Sequence, residues 1–112
     1  MHMKIISIDL DGVLNTYHGN YEPDKIPPIS PGAYEFLEKL SKLYNIEIFT
    51  VRNKKLVKKW LKENNISLFI KNISNIKNPS SSIIIDDRAL KFEGDFQDTY
   101  KNIVKFCPHW RC

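Results

Sequence analysis

Two isoleucine-rich runs in this chain end in paired aspartates, and that repetition constrains the fold more than any other feature. The first is Lys4-Ile-Ile-Ser-Ile-Asp9, which breaks into Leu10-Asp11-Gly12. The second is Ser82-Ile-Ile-Ile-Asp86-Asp87. Short runs of β-branched residues closed by glycine or acids read as buried strands of a parallel sheet. Open α/β sheets place their ligands at the carboxyl ends of such strands. A buried carboxylate is costly unless it is paired or bound to a metal. Acids at two strand ends therefore imply a cation, a reaction, or both.

Between these runs the pattern alternates strand and helix, as expected of a parallel α/β sheet. An irregular stretch, 15–29, carries Gly19, Pro23, Pro27 and Pro28. Ser30-Pro31 then supplies a helix start, with serine as N-cap and proline in the first turn. Ala33, Phe36, Leu37, Leu40, Leu43 and Tyr44 recur at helical spacing and predict a buried stripe. A second strand is expected over 46–51 and a second helix over 54–64, packing through Leu56, Val57, Trp60 and Leu61. The opposite face of that helix carries Lys54, Lys55, Lys58, Lys59 and Lys62 and reads as a solvated surface. A third strand is expected over 67–70, a fourth over 82–85, and a last helix over 96–106. Asp95 would cap that helix, and Phe96, Tyr100, Ile103 and Val104 would face inward.

At 112 residues the chain is expected to form a single domain, 1–112, too short for a substantial second one. Its apolar runs fall well short of a bilayer span. The opening residues carry no export-signal pattern, so a cytoplasmic protein without membrane contact is expected. The formal charge of +4 favours anionic partners only modestly. Cys107, His109 and Cys112 crowd the C-terminus but fall one donor short of a structural zinc set, and the tail reads as frayed with reduced thiols.

Four polar signals follow four strand ends: Asp9 with Asp11, Thr50, Lys77, and Asp86 with Asp87. Right-handed crossovers bring such ends to one edge of the sheet. The acids gathered there would repel one another unless a divalent cation neutralised them, and an oxygen-only donor set suits Mg²⁺.

These motifs resemble those of the haloacid dehalogenase superfamily of phosphohydrolases. Asp9-Leu10-Asp11-Gly12-Val13 looks like its first motif, Thr50 its second, Lys77 its third, and Ile85-Asp86-Asp87 its fourth. Asn75-Ile-Lys77-Asn-Pro79, Ile85-Asp-Asp-Arg-Ala89 and Phe92-Glu-Gly94 resemble a small stand-alone bacterial and phage group within it. The resemblance implies a Rossmannoid three-layer α/β fold with a mostly parallel central sheet and no cap domain. It further implies a Mg²⁺-dependent phosphomonoesterase working through an aspartyl-phosphate on Asp9, with Asp11 as general acid and base. Mg²⁺ would be held by Asp9, Asp11 through its carbonyl, and Asp86 or Asp87. Thr50 and Lys77 would hold the phosphoryl group.

Of the two places where this family inserts caps, the first holds only the short stretch 15–29 and the second is occupied by the second helix and third strand, so neither can build one. An open site suits a bulky phosphorylated substrate such as a nucleotide or polynucleotide end, or a lid supplied by a homo-oligomer. Tyr17, His18 and Tyr21 are the local candidates for ring stacking, and Arg88 reads as a structural partner of Asp86 or Asp87. Two rivals stand beside the main reading. One is a small-molecule nucleotidase or phosphotransferase; the other is a catalytically idle fold serving as a binding module.

Overall fold

A computed structural model describes residues 3–111. In chain order the elements are β1 (Ile5–Asp9), a wide turn over Leu10–Leu14, α1 (Ala33–Ser41), β2 (Asn45–Phe49) and α2 (Lys54–Glu63). A 3₁₀ turn (Ser67–Phe69), β3 (Ile70–Ser74), β4 (Ser81–Ile85) and α3 (Phe96–Lys105) follow. The strands form one sheet in the order β3-β2-β1-β4, and every pairing is parallel. The described residues thus form an α/β fold with a four-stranded parallel sheet flanked by helices, and among them there is no cap.

The steps from β1 through α1 to β2, and through α2 to β3, run the same way across the sheet. Right-handed crossovers place both helices on one face. The core sits there: Ile6, Ile8, Ile46, Ile48 and Ile73 meet Leu37 of α1 and Val57, Trp60 and Leu61 of α2. Burial of each such aliphatic side chain is worth about 1.5–3 kcal/mol. The register places Ser7, Glu47, Asn72 and Ile84 on the opposite face. That face is largely polar. The Ser7 and Ser81 hydroxyls are hydrogen-bonded, and the Asn78 side chain donates to Glu47 Oε1 at 3.1 Å.

Four local expectations are corrected. The first helix begins at Ala33 after Gly32, whose φ is 86°, with no side-chain cap. Ser30 instead closes a turn: its N–H bonds the Leu14 carbonyl and its carbonyl accepts from Ala33. Phe36 on α1 and Leu43 just past its end are exposed. The third strand starts at Ile70, because Ile66 and Phe69 are drawn into the core and wind 67–69 into a turn. Lys71 and Asn72 hid its strand pattern. The fourth concerns α3, which Asp95 caps as expected but which buries no residue. Phe96, Tyr100, Ile103 and Val104 are 58–81% exposed.

The stretch 15–29 is a flap that closes on itself. Asn15 bridges Ile29, Thr16 N–H donates to the Pro28 carbonyl at 2.9 Å, and Trp60 Nε1 of α2 donates to the Pro27 carbonyl at 3.2 Å. Among the described residues no helix is long and apolar enough to cross a membrane.

Candidate active site

Asp9 is the last residue of β1, and the register of β1 with β4 pairs Ile8 with Ile85, so the following positions bring Asp9 beside Asp86. Carboxylate oxygens of Asp9, Asp86 and Asp87 lie within 4.8 Å of one another. The three acids are half-buried. Two features fit them to a hard divalent cation. Among the described residues, Asp87 Oδ1 is buried with no hydrogen-bond partner, which leaves a lone pair to be satisfied. Burial, reinforced by the hydrogen bond that a protonated Asp9 can donate to Asp87 and by the charges of Asp86, Asp87 and Asp11, pushes the Asp9 carboxyl up from 3.8 to about 8. Crowded anions of this kind ionise together only when a positive charge joins them.

Asp86 behaves differently. Burial opposes its ionisation, but the Arg88 N–H and the Lys77 ammonium outweigh that and hold its carboxyl below the usual value. Lys77 Nζ lies 3.1 Å from Asp86 Oδ2 and 5.1 Å from the centre of the Phe49 ring. Lys77 is therefore at the site, with Asp86 as its ion-pair partner.

Asp11 stands apart from the acidic trio, and the reason is a residue that the sequence reading passed over. Arg52 is 2% exposed. Its Nε donates to Asp11 Oδ2 at 3.0 Å and its Nη2 to Asp11 Oδ1 at 3.0 Å. The fork-to-carboxylate arrangement is the strongest form of this pair. Nη1 reaches the flap, donating to the carbonyls of Glu22 at 2.6 Å and Pro23 at 3.2 Å. The guanidinium also lies 4.6 Å from the centre of the Tyr21 ring. Arg52 could have been found by position: it follows the strand-two threonine by two residues, in a chain that otherwise relies heavily on lysine. Buried Asn15 is a second omission. It donates to Asp11 Oδ1 at 3.0 Å and accepts from Gly12 N–H at 3.2 Å.

Thr50, just past β2, is buried. Its hydroxyl accepts from Arg52 N–H at 3.2 Å, and its carbonyl accepts from Asn75 at 2.6 Å. Asp9, Asp11, Thr50, Tyr17, Tyr21 and Arg88 line a cleft of about 340 Å³. The two tyrosines expected to meet substrate thus border the acids. His18 instead bonds the Thr16 carbonyl at 3.1 Å, away from that cleft. Arg88 engages Asp86 through its backbone N–H at 2.9 Å.

The C-terminal tail is the largest departure from expectation. Rather than fraying, it packs against Asp87 and Gly12. Trp110 Nε1 donates to Asp87 Oδ2, and His109 Nε2 to the Gly12 carbonyl. Cys107 is disulfide-bonded instead of carrying a reduced thiol; Cys112 lies outside the described residues.

No family model and no curated protein sequence matches this chain. A solved structure, titled as that of a conserved protein from Bacteroides thetaiotaomicron, is similar at a TM-score of 0.58 and 19% identity. The match covers 93% of this chain and 92% of that one, and at this identity it speaks for the fold.

The raised Asp9 value gives a signed expectation for stability. A group whose carboxyl binds its proton more tightly when folded contributes stability below about pH 4, and loses it as pH rises toward about 8. In EDTA, Asp9→Asn should therefore melt above the wild type at pH 8, and the gap should shrink as pH falls toward 4. Millimolar Mg²⁺ should raise the wild-type melting temperature and leave the variant nearly unmoved. A wild type that melts above the variant in EDTA at pH 8 would contradict this electrostatic account.

Proposed function

We propose that this protein is a Mg²⁺-dependent phosphomonoesterase that forms an aspartyl-phosphate on Asp9. The observation carrying the proposal is the separation of the acids into two sets. Asp9, Asp86 and Asp87 converge within 4.8 Å, while Asp11, outside that trio but lining the same cleft as Asp9, is paired with Arg52. The resemblance of the four motifs to the haloacid dehalogenase pattern supports the same reading. Asp9, Asp86 and Asp87 would hold the cation, which when bound supplies charge neutralisation for an anionic nucleophile meeting an anionic phosphate.

The residues of the chain then divide the work. An Asp9 carboxylate oxygen attacks phosphorus, forming the O–P bond as the bond to the substrate's alcohol oxygen breaks. Asp11 gives that leaving oxygen a proton, and afterwards takes one from the water that hydrolyses the acyl-phosphate. Both Asp11 oxygens accept from Arg52, so Asp11 can carry the proton only while that pair is parted. Thr50 and Lys77 would contact the phosphoryl oxygens. Tyr17 and Tyr21, at the mouth of the cleft, suit a ring-bearing substrate such as a nucleotide or polynucleotide end.

The Arg52 pair is also the one observation that favours the idle binding module, since it occupies the group needed for proton transfer. One experiment separates the readings: a panel of phosphomonoesters, including nucleoside monophosphates and 5′- and 3′-phosphorylated oligonucleotides, assayed with Mg²⁺ and with EDTA. Release of phosphate only with Mg²⁺ is expected, and its absence across the panel would favour the binding module.

A further inference from the structure

The tail residue Trp110 contacts Asp87, one member of the acidic trio. Its indole N–H donates to Asp87 Oδ2, and the other oxygen of the same carboxylate, Oδ1, is buried and, among the described residues, unpartnered. Trp110 does not line the cleft formed by Asp9, Asp11 and Thr50, so it leaves the substrate side open. Its ring is fixed on two further sides, edge-on to Tyr17 at 5.3 Å between centroids and 5.1 Å from the Arg111 guanidinium.

The backbone around it is shaped for this contact. Gly12 has a φ of 84°, a conformation that side-chain-bearing residues rarely adopt. A Cβ built on Gly12 would collide with the Asp87 carboxylate and come within 3.0 Å of Trp110 Nε1. The Gly12 carbonyl is meanwhile tied to His109. Glycine thus opens the space in which the first strand-end loop, the second acidic pair and the tail all meet.

We propose that Trp110 is a positioning residue for the cation site: its N–H fixes one Asp87 oxygen so that the other is presented to the ion. This rests on the cation-binding part of the function proposed above. A carboxylate free to rotate about its last torsion must be ordered each time an ion binds. A donor that anchors one oxygen pre-orders it, and outer hydrogen bonds of this kind are worth about 10–100-fold in metal affinity. An indole donates and never accepts, so the contact holds the carboxylate without competing for the cation.

The test is Mg²⁺ binding by calorimetry to the full chain, with fold checked by circular dichroism. Trp110→Phe keeps a ring and removes the donor; it should bind Mg²⁺ about 10–100-fold more weakly. Trp110→His restores an N–H and should recover most of the loss. The wild type offers a second measurement that needs no foldable variant at position 110. The chain has two tryptophans, so two indole N–H resonances are expected, and Trp60→Phe assigns them. Mg²⁺ should shift the Trp110 signal and leave that of Trp60 in place. Unchanged or tighter binding by Trp110→Phe, or a Trp110 resonance indifferent to saturating Mg²⁺, would overturn the role. A wild type that binds no Mg²⁺ would overturn the cation site itself, and the role of Trp110 with it.

Discussion

Asp9→Asn is expected to abolish turnover and covalent phosphorylation together, because an amide cannot form the acyl-phosphate. The loss should exceed about 10⁴-fold, as when a covalent nucleophile is removed elsewhere. Asp11→Asn should lose less, about 10²–10⁴-fold with ordinary leaving groups, since it removes a proton donor and the later base. With p-nitrophenyl phosphate the leaving group needs little protonation. The first step should then be partly rescued and phosphoenzyme should build up in Asp11→Asn. Trapping the intermediate, or its BeF₃⁻ mimic, and mapping it by mass spectrometry checks the assignment. Phosphate on Asp11, Asp86 or Asp87 would overturn it, as would an Asp9→Asn enzyme retaining more than about a hundredth of the wild-type rate.

Arg52→Met should produce the largest loss of stability among single changes near the site. Arg52 is 2% exposed, and its guanidinium satisfies both Asp11 oxygens and two flap carbonyls at once. Methionine keeps much of the aliphatic volume, so packing loss is small. What remains is a carboxylate whose side chain is 16% exposed, with no counter-charge beside it. Removing one partner of a buried pair costs about 3–5 kcal/mol. Asp11 keeps some access to water, which places this case near the lower end. In a domain of this size a loss of about 3 kcal/mol corresponds to roughly 12–20 °C in melting temperature. Adding Asp11→Asn should return part of it, because the stranded charge is gone. Urea denaturation of the four proteins in that cycle measures the coupling. A loss under about 1 kcal/mol for Arg52→Met would mean that the pair is a surface-like contact.

The sheet and most of its acids were legible in the chain because their signals are local. An apolar run ending in aspartate marks a strand and where it stops, so Asp9, Asp86 and Asp87 could be placed at one edge by topology alone; it did not settle burial, since Ile83 and Ile84 of the edge strand β4 are 44% and 47% exposed. Arg52 had only a positional hint, two residues past the strand-two threonine, because its pairing with Asp11 spans 41 residues; Asn15, bonded to Asp11 only 4 residues away, has neighbours that look like ordinary loop. Trp110 was harder still. Nothing in Cys-Pro-His-Trp-Arg-Cys records that Gly12 leaves room for an indole against Asp87. The face of α3 failed for the opposite reason. Its periodicity is a true helical signal, but periodicity shows which residues share a face and not whether anything covers it.

The passage from β3 to β4 has a mechanical consequence. Only six residues, 75–80, link strands at opposite edges of the sheet. They must travel three strand spacings sideways, about 14 Å, and about four residues back along the sheet, about 13 Å, a diagonal of roughly 20 Å. Seven Cα steps reach at most about 23–25 Å, and a turn at Asn78–Ser81 consumes part of that. The connection is a strap with almost no slack. Lys77 rides on it, so its place beside Asp86 is set by tether length as much as by charge. Each residue of the strap therefore acts as a spacer: shortening it would pull β4, with Asp86 and Asp87 just beyond its end, out of register with Asp9.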